Sequence, residues 1–213
     1  MHGEMKRIAA VLSLAVLAGC GQAGPPIDPA VRAAGFQWDT TVKEKDKRWI
    51  LAAVDQARPE ARQLIDDVDG MIVVGTYAQR GTPEVGLMRP TGEHRYQVVF
   101  NLAYLNGERK IDRTTTVLHE LGHVVDHAVV PPELRDQLAA QLPSIGSCIS
   151  PVHGDCTAPE ERFADTFAKW ALRGAVSAAG AGYGVATPAS LEDWGTPLAK
   201  LAIEIEVASR RRA

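Results

Sequence analysis

The stretch TTTVLHELGHVVDHAVV, residues 114–130, constrains this chain more than any other. Leu118, Leu121, Val124 and Val125 recur at the spacing of an amphipathic helix with one buried face. Asp112 or Thr114 can cap its start, and Pro131-Pro132 stop it. His119 and His123 stand one helical turn apart, so both imidazoles can face a single point. Histidines on an apolar helix need partners, and an ion between the two rings supplies one. Glu120 projects to the side, where it can reach a water at that ion without binding the ion itself, which is the mechanical content of HExxH. The plainer alternative, two surface histidines, is disfavoured by the apolar residues around them.

His127 lies a further turn down the same face, yet it is not expected as the third ligand. An ion about 2 Å from His119 and His123 sits beside that one turn, and a straight helix carries His127 out of reach. The single-helix alternative, HExxHxxGxxH, needs a glycine where this chain has Asp126, and a last histidine that is absent. The third ligand therefore comes from elsewhere.

TAPEERFAD, beginning at Thr157, supplies candidates. Thr157 and Glu160 have capping-box spacing, which gives Glu160 a structural task and leaves Glu161 free to ligate. Asp165, one turn on, can orient a ligand histidine. A helical wheel leaves the choice open, because Glu160 lies nearer the Phe163/Phe167/Trp170 stripe, so Glu161 stands as the ligand with Glu160 as its rival. First-turn acids also suit a helix dipole without any ion.

The amino terminus, MHGEMKRIAAVLSLAVLAGC, has a basic pair, a short apolar run and a closing Leu-Ala-Gly-Cys. This is the layout of a signal peptide whose end resembles a bacterial lipobox, so residues 1–19 read as a signal and Cys20 as the lipidated first residue of the mature chain. Residues 20–38 read as a tether, rich in Gly and Pro over GQAGPPIDPA, and 39–213 as one domain. The expected location is the cell envelope, with membrane attachment through the lipid on Cys20. Export also implies that Cys148 and Cys156, the remaining pair, form a disulfide, since CxxC-like metal spacing is absent. A formal net charge of −3 offers no basic footprint for nucleic acid.

Between these landmarks the pattern predicts helices over Asp39–Asp67 interrupted at Pro59, and a strand at MIVVGTY (71–77). A short strand is expected at Val85–Met88, and a longer one in RYQVVFNLAYL (95–105). Helices follow near Pro132, over 157–174 with Gly174 as the stop, and from about Pro197. The fold class is α+β: a small twisted sheet packed on the HExxH helix, with a mostly helical carboxy-terminal part.

HELGHVVD followed by EERFADTFA resembles the zinc peptidases of the anthrax lethal factor type, including the Pro-Pro endopeptidases, within the wider HExxH-plus-Glu group that also holds thermolysin. The pattern HExGHxxD, then E-x-x-A-(acid)-x-F, falls on His119, Glu120, His123, Asp126, Glu161, Ala164, Asp165 and Phe167. The resemblance covers roughly residues 95–170. It implies a zincin fold, Zn²⁺ held by His119, His123 and Glu161, and a peptide or protein substrate aligned on the strand Tyr96–Asn101. It further implies hydrolysis by metal-activated water, with Glu120 as general base in a metallopeptidase of the endopeptidase kind. Asp165 or Asp126 would orient a ligand histidine. One departure stands out: the tyrosine that precedes the ligand glutamate in that type is missing from SPVHGDC. His153 is the candidate to replace it as a catalytic oxyanion stabiliser, with Tyr183 as a second. The competing expectation is a zincin-fold envelope lipoprotein that is catalytically weak or inactive and acts as a binding module.

Overall fold

The computed structural model describes residues 35–82, 84–105, 111–143, 158–175 and 187–211. Cys20, Cys148, Cys156, Thr157, His153 and Tyr183 lie outside the described residues, and with them the lipid anchor, the disulfide, the threonine cap and both oxyanion candidates.

The architecture is α+β. Four strands form one mixed sheet: β1 (Gln37–Trp38), β2 (Ile72–Tyr77), β3 (Gly86–Gly92) and β4 (Arg95–Asn101), in the order β1-β2-β4-β3. β1 and β4 run parallel to β2, while β3 is antiparallel to β4. Residues assigned from sequence to the tether, Gln37 and Trp38, thus pair with Val73 and Val74 as an edge strand. With only two residues, that strand is too short to show a period. The strand expected over 95–105 ends at Asn101 and turns into α3 (Leu102–Leu105). Asn101 makes the corner: its side chain accepts the amides of Gln79 and Ala103 and donates to the carbonyls of Gln79 and Glu84.

Two helices precede β2. α1 (Glu44–Gln56) ends before Pro59, which opens α2 (Pro59–Asp66) at its first turn, where a missing N–H costs nothing. Ala61, Leu64, Ile65 and Val68 are fully buried there. α1 covers the sheet through Trp49, whose ring meets Phe100 edge-on at 5.6 Å. Arg113, the first residue of α4 (Arg113–Ala128), lies over the same indole.

Of the two candidate caps for α4, Asp112 is the one used: its carboxylate accepts the Thr115 N–H at 2.6 Å. At the other end Pro132 starts α5 (Pro132–Ala140), and Arg135 clamps the corner by donating from Nε to Asp126 Oδ1 at 2.6 Å. α6 (Pro159–Ala171) has Ala158, not Thr157, at its N-cap position, without a side-chain cap bond. It closes at Gly174, whose φ of +76° favours glycine.

The last helix, α7, spans Leu191–Arg210, so it starts before Pro197 and carries that proline inside. Its cap is Ser190, which accepts the Asp193 N–H. A proline usually signals a helix start, and here packing overrides that preference. Trp194 is fully buried, meets Phe163 at 5.6 Å and donates to the Leu138 carbonyl, fastening α7 to both α5 and α6.

Candidate metal centre

α4 and α6 pack so closely that Gly122 is a requirement of space. A Cβ there would stand 3.1 Å from Phe167 Cδ1 and 3.2 Å from Ala164 Cα. Ala164 is itself fully buried against it. This approach brings Glu161, one turn before Ala164, to the histidine pair.

His119 Nε2 and His123 Nε2 are 3.2 Å apart. Glu161 Oε2 is 3.2 Å from His119 Nε2, and its Oε1 is 3.5 Å from His123 Nε2. Ligands at about 2.0–2.1 Å in tetrahedral array are separated by about 3.3–3.4 Å, and the two ring nitrogens, each with a carboxylate oxygen of Glu161 within 3.5 Å, are spaced on that scale. These residues form a buried group that can hold a metal ion. The donor set, two imidazole nitrogens and one carboxylate oxygen, suits a borderline-soft divalent cation.

Electrostatics support the same grouping. Burial pushes Glu161 upward, but hydrogen bonds and charge from His119 and His123 outweigh it and hold the carboxyl well below the usual range. Burial pulls His123 down, and Glu161, Glu120 and Asp126 together overcome it and raise the imidazole. Glu161 is therefore ionised over the whole physiological range, as a ligand must be.

Glu120 has its own surroundings. It is 3% exposed, and burial raises its carboxyl above the ordinary value, opposed by His119, His123 and a hydrogen bond from the Met88 backbone. The nearest chain is β3. The strand expected to form the sheet edge, Tyr96–Asn101, is interior, and β3 is the antiparallel edge beside α4. The sequence offers little to decide this, because strand order is set by long-range pairing.

Compared with family models, characterised proteins and solved structures, the chain matches none of them.

The remaining sequence candidates separate clearly. His127 is exposed and does not belong to the metal group; its ring faces Tyr96 at 6.5 Å. Glu160 is exposed and lines a cavity of about 330 Å³ with His127, Arg135, Leu142 and Phe163, outside the His119–His123–Glu161 group. Asp126 is buried and bonded to Arg135, while Asp165 is buried and paired with Lys169 at 2.6 Å. Arg135 ties Asp126 of α4 to α5, whereas Lys169 pairs with Asp165 one turn along α6 itself. The contact that sequence reasoning missed is that of Glu120 with β3. A glycine at Gly86, opening a strand, was its one visible sign.

Proposed function

We propose that this chain is a zinc-dependent peptidase. The observation that carries the reading is the approach of the Glu161 carboxylate to both His119 Nε2 (Oε2, 3.2 Å) and His123 Nε2 (Oε1, 3.5 Å), themselves 3.2 Å apart, beside a buried second carboxylate on Glu120. Three protein ligands leave a position open for chemistry, whereas structural zinc sites are closed by four.

When bound, the ion polarises a substrate carbonyl and acidifies water. The protein's own groups do the rest. His119, His123 and Glu161 hold the ion, and α4 and α6 fix their spacing. Glu120 accepts the proton of the attacking water and returns it to the leaving amine. Its desolvated position moves its basicity towards the working range of such a group. β3 is the edge strand of the sheet next to Glu120, and the outward carbonyls of Met88 and Pro90 are groups along which an extended peptide can lie. The lipobox-like amino terminus adds an envelope location, with the domain tethered through Cys20.

The test is Glu120→Gln. Zinc content should stay at the wild-type level while kcat for a mixed peptide library falls by at least about 10²-fold. A fully active Glu120→Gln protein would sink the mechanism. A wild-type protein that binds zinc yet cleaves nothing would point instead to a fold used for binding.

A further inference from the structure

Gly86 stands where a side chain cannot fit without moving Glu120. A Cβ built on it would lie 2.5 Å from Glu120 Oε1, 2.7 Å from its Cγ and 2.8 Å from its Cδ. The Glu120 side chain therefore lies flat along the backbone of β3. Gly86 does not have a positive φ, so its conformation alone does not call for glycine. Glycine within a strand forfeits packing and entropy, and it often marks a close approach.

The strand's hydrogen-bond alternation shows what else meets Glu120. Val85 O accepts from Asn101 N at 2.8 Å, and Leu87 and Arg89 are opposite Val99 and Gln97 in the same register. In an antiparallel pair, alternate residues turn their N–H and C=O away from the partner strand. Gly86, Met88 and Pro90 are therefore the outward-facing positions. Pro90 sits where no ladder bond is lost. The Met88 N–H, turned away from β4, is on the side of β3 where Glu120 lies and acts to lower the Glu120 carboxyl.

We propose that Gly86 and the Met88 N–H form a seat that fixes the Glu120 carboxylate for proton transfer, with Gly86 acting as a positioning residue through the space it leaves empty. The role in catalysis rests on the peptidase reading above; the seat itself does not. A methyl group at position 86 meets Glu120 from Cγ to Oε1 and has no atom of His119, His123 or Glu161 among its nearest neighbours. Gly86 thus controls the base and not the ion.

The experiment uses the full chain and Gly86→Ala. Zinc stoichiometry and KM should remain at wild-type values while kcat drops about 100-fold, the scale expected for misplacing a reacting group by about 1 Å. A crystal structure of the variant should show the Glu120 carboxylate off its seat, with His119, His123 and Glu161 unmoved. Thermal unfolding without added metal supplies a second readout. Gly86→Ala should lower Tm when Glu120 is present and leave Tm unchanged in a Glu120→Ala background, where the obstructing atoms are gone. If wild-type chain cleaves no peptide, the proposed function fails, and the unfolding cycle and crystal structure decide the seat alone. Equal Tm losses in both backgrounds, or a Gly86→Ala protein with Glu120 in its original position, would overturn the proposal.

Discussion

Gly122 lies between His119 and His123, and replacing it sets helix propensity against helix packing. In a helix interior, alanine is favoured over glycine by about 1 kcal/mol, and Gly122 has no positive φ to oppose the change. Against this, the new methyl would meet Phe167 Cδ1 at 3.1 Å, Ala164 Cα at 3.2 Å and Ala164 O at 3.3 Å, where ordinary contact begins at 3.4 Å. Phe167 and Ala164 are fully buried, so neither can turn aside, and α6 has to retreat by a few tenths of an ångström. Overpacking of this kind costs about 1–3 kcal/mol. Gly122→Ala should then be between neutral and about 2 kcal/mol less stable. Gly122→Val keeps little of the propensity gain and adds two more carbons, for a net loss of about 2–3 kcal/mol, or roughly 5–10 °C in Tm. Since Glu161 rides on the same helix, the retreat also draws its carboxylate away from the two histidines. Zinc affinity should fall about 10-fold for alanine and further for valine. Melting curves and competition against a chromophoric chelator measure both effects. An alanine variant more stable by the full 1 kcal/mol, with unchanged zinc affinity, would refute the packing argument.

Glu161→Gln should reduce zinc affinity by at least about 100-fold, while Glu160→Gln, on an exposed side chain that lines the cavity, leaves it unchanged. Elemental analysis after dialysis separates the two, and equal loss in both variants would contradict the ligand assignment. Asp69 predicts a pH effect away from the site. Burial, then the neighbouring Asp66 and Asp67, push its carboxyl up to about 6 from an ordinary 3.8, against backbone hydrogen bonds from Gly70 and Gly35. The folded state therefore holds this proton more tightly than the unfolded one. Its stabilising contribution is complete below about pH 4 and is lost as pH rises through 6. Asp69→Asn should be more stable than wild type at pH 7.5, by about 1 kcal/mol once solvent screening of this part-buried group is discounted, and indistinguishable at pH 4. Urea midpoints at the two pH values test this; an equal gain at both would remove titration as the cause.

Sequence made the local decisions legible and left the long-range ones open. α4 could be read from its apolar spacing, its Asp112 cap and its Pro-Pro stop because each acts within a few residues. The order of β3 and β4 could not, since both strands are short and apolar on one side, and only their pairing with β2 decides which lies inside. The same holds for the start of α7: Pro197 is a local signal that the buried Trp194 overrules. The choice between Glu160 and Glu161 shows where a wheel misleads. Phe163 and Trp170 look like the core face of α6, but Phe163 packs on Trp194 of α7, so the aromatic stripe points partly away from α4. The face that meets α4 is marked by small residues. Ala164 and Ala168 are fully buried, and Ala164 opposes Gly122. Glu161 precedes Ala164 by three positions and Ala168 by seven, and Glu160 precedes them by four and eight, so both acids are near that side and spacing does not separate them. Close helix contact, and hence a reach short enough for a shared ion, follows the small side chains and not the large ones, and only the packing of α6 on α4 decides that it is Glu161 whose carboxylate meets His119 and His123.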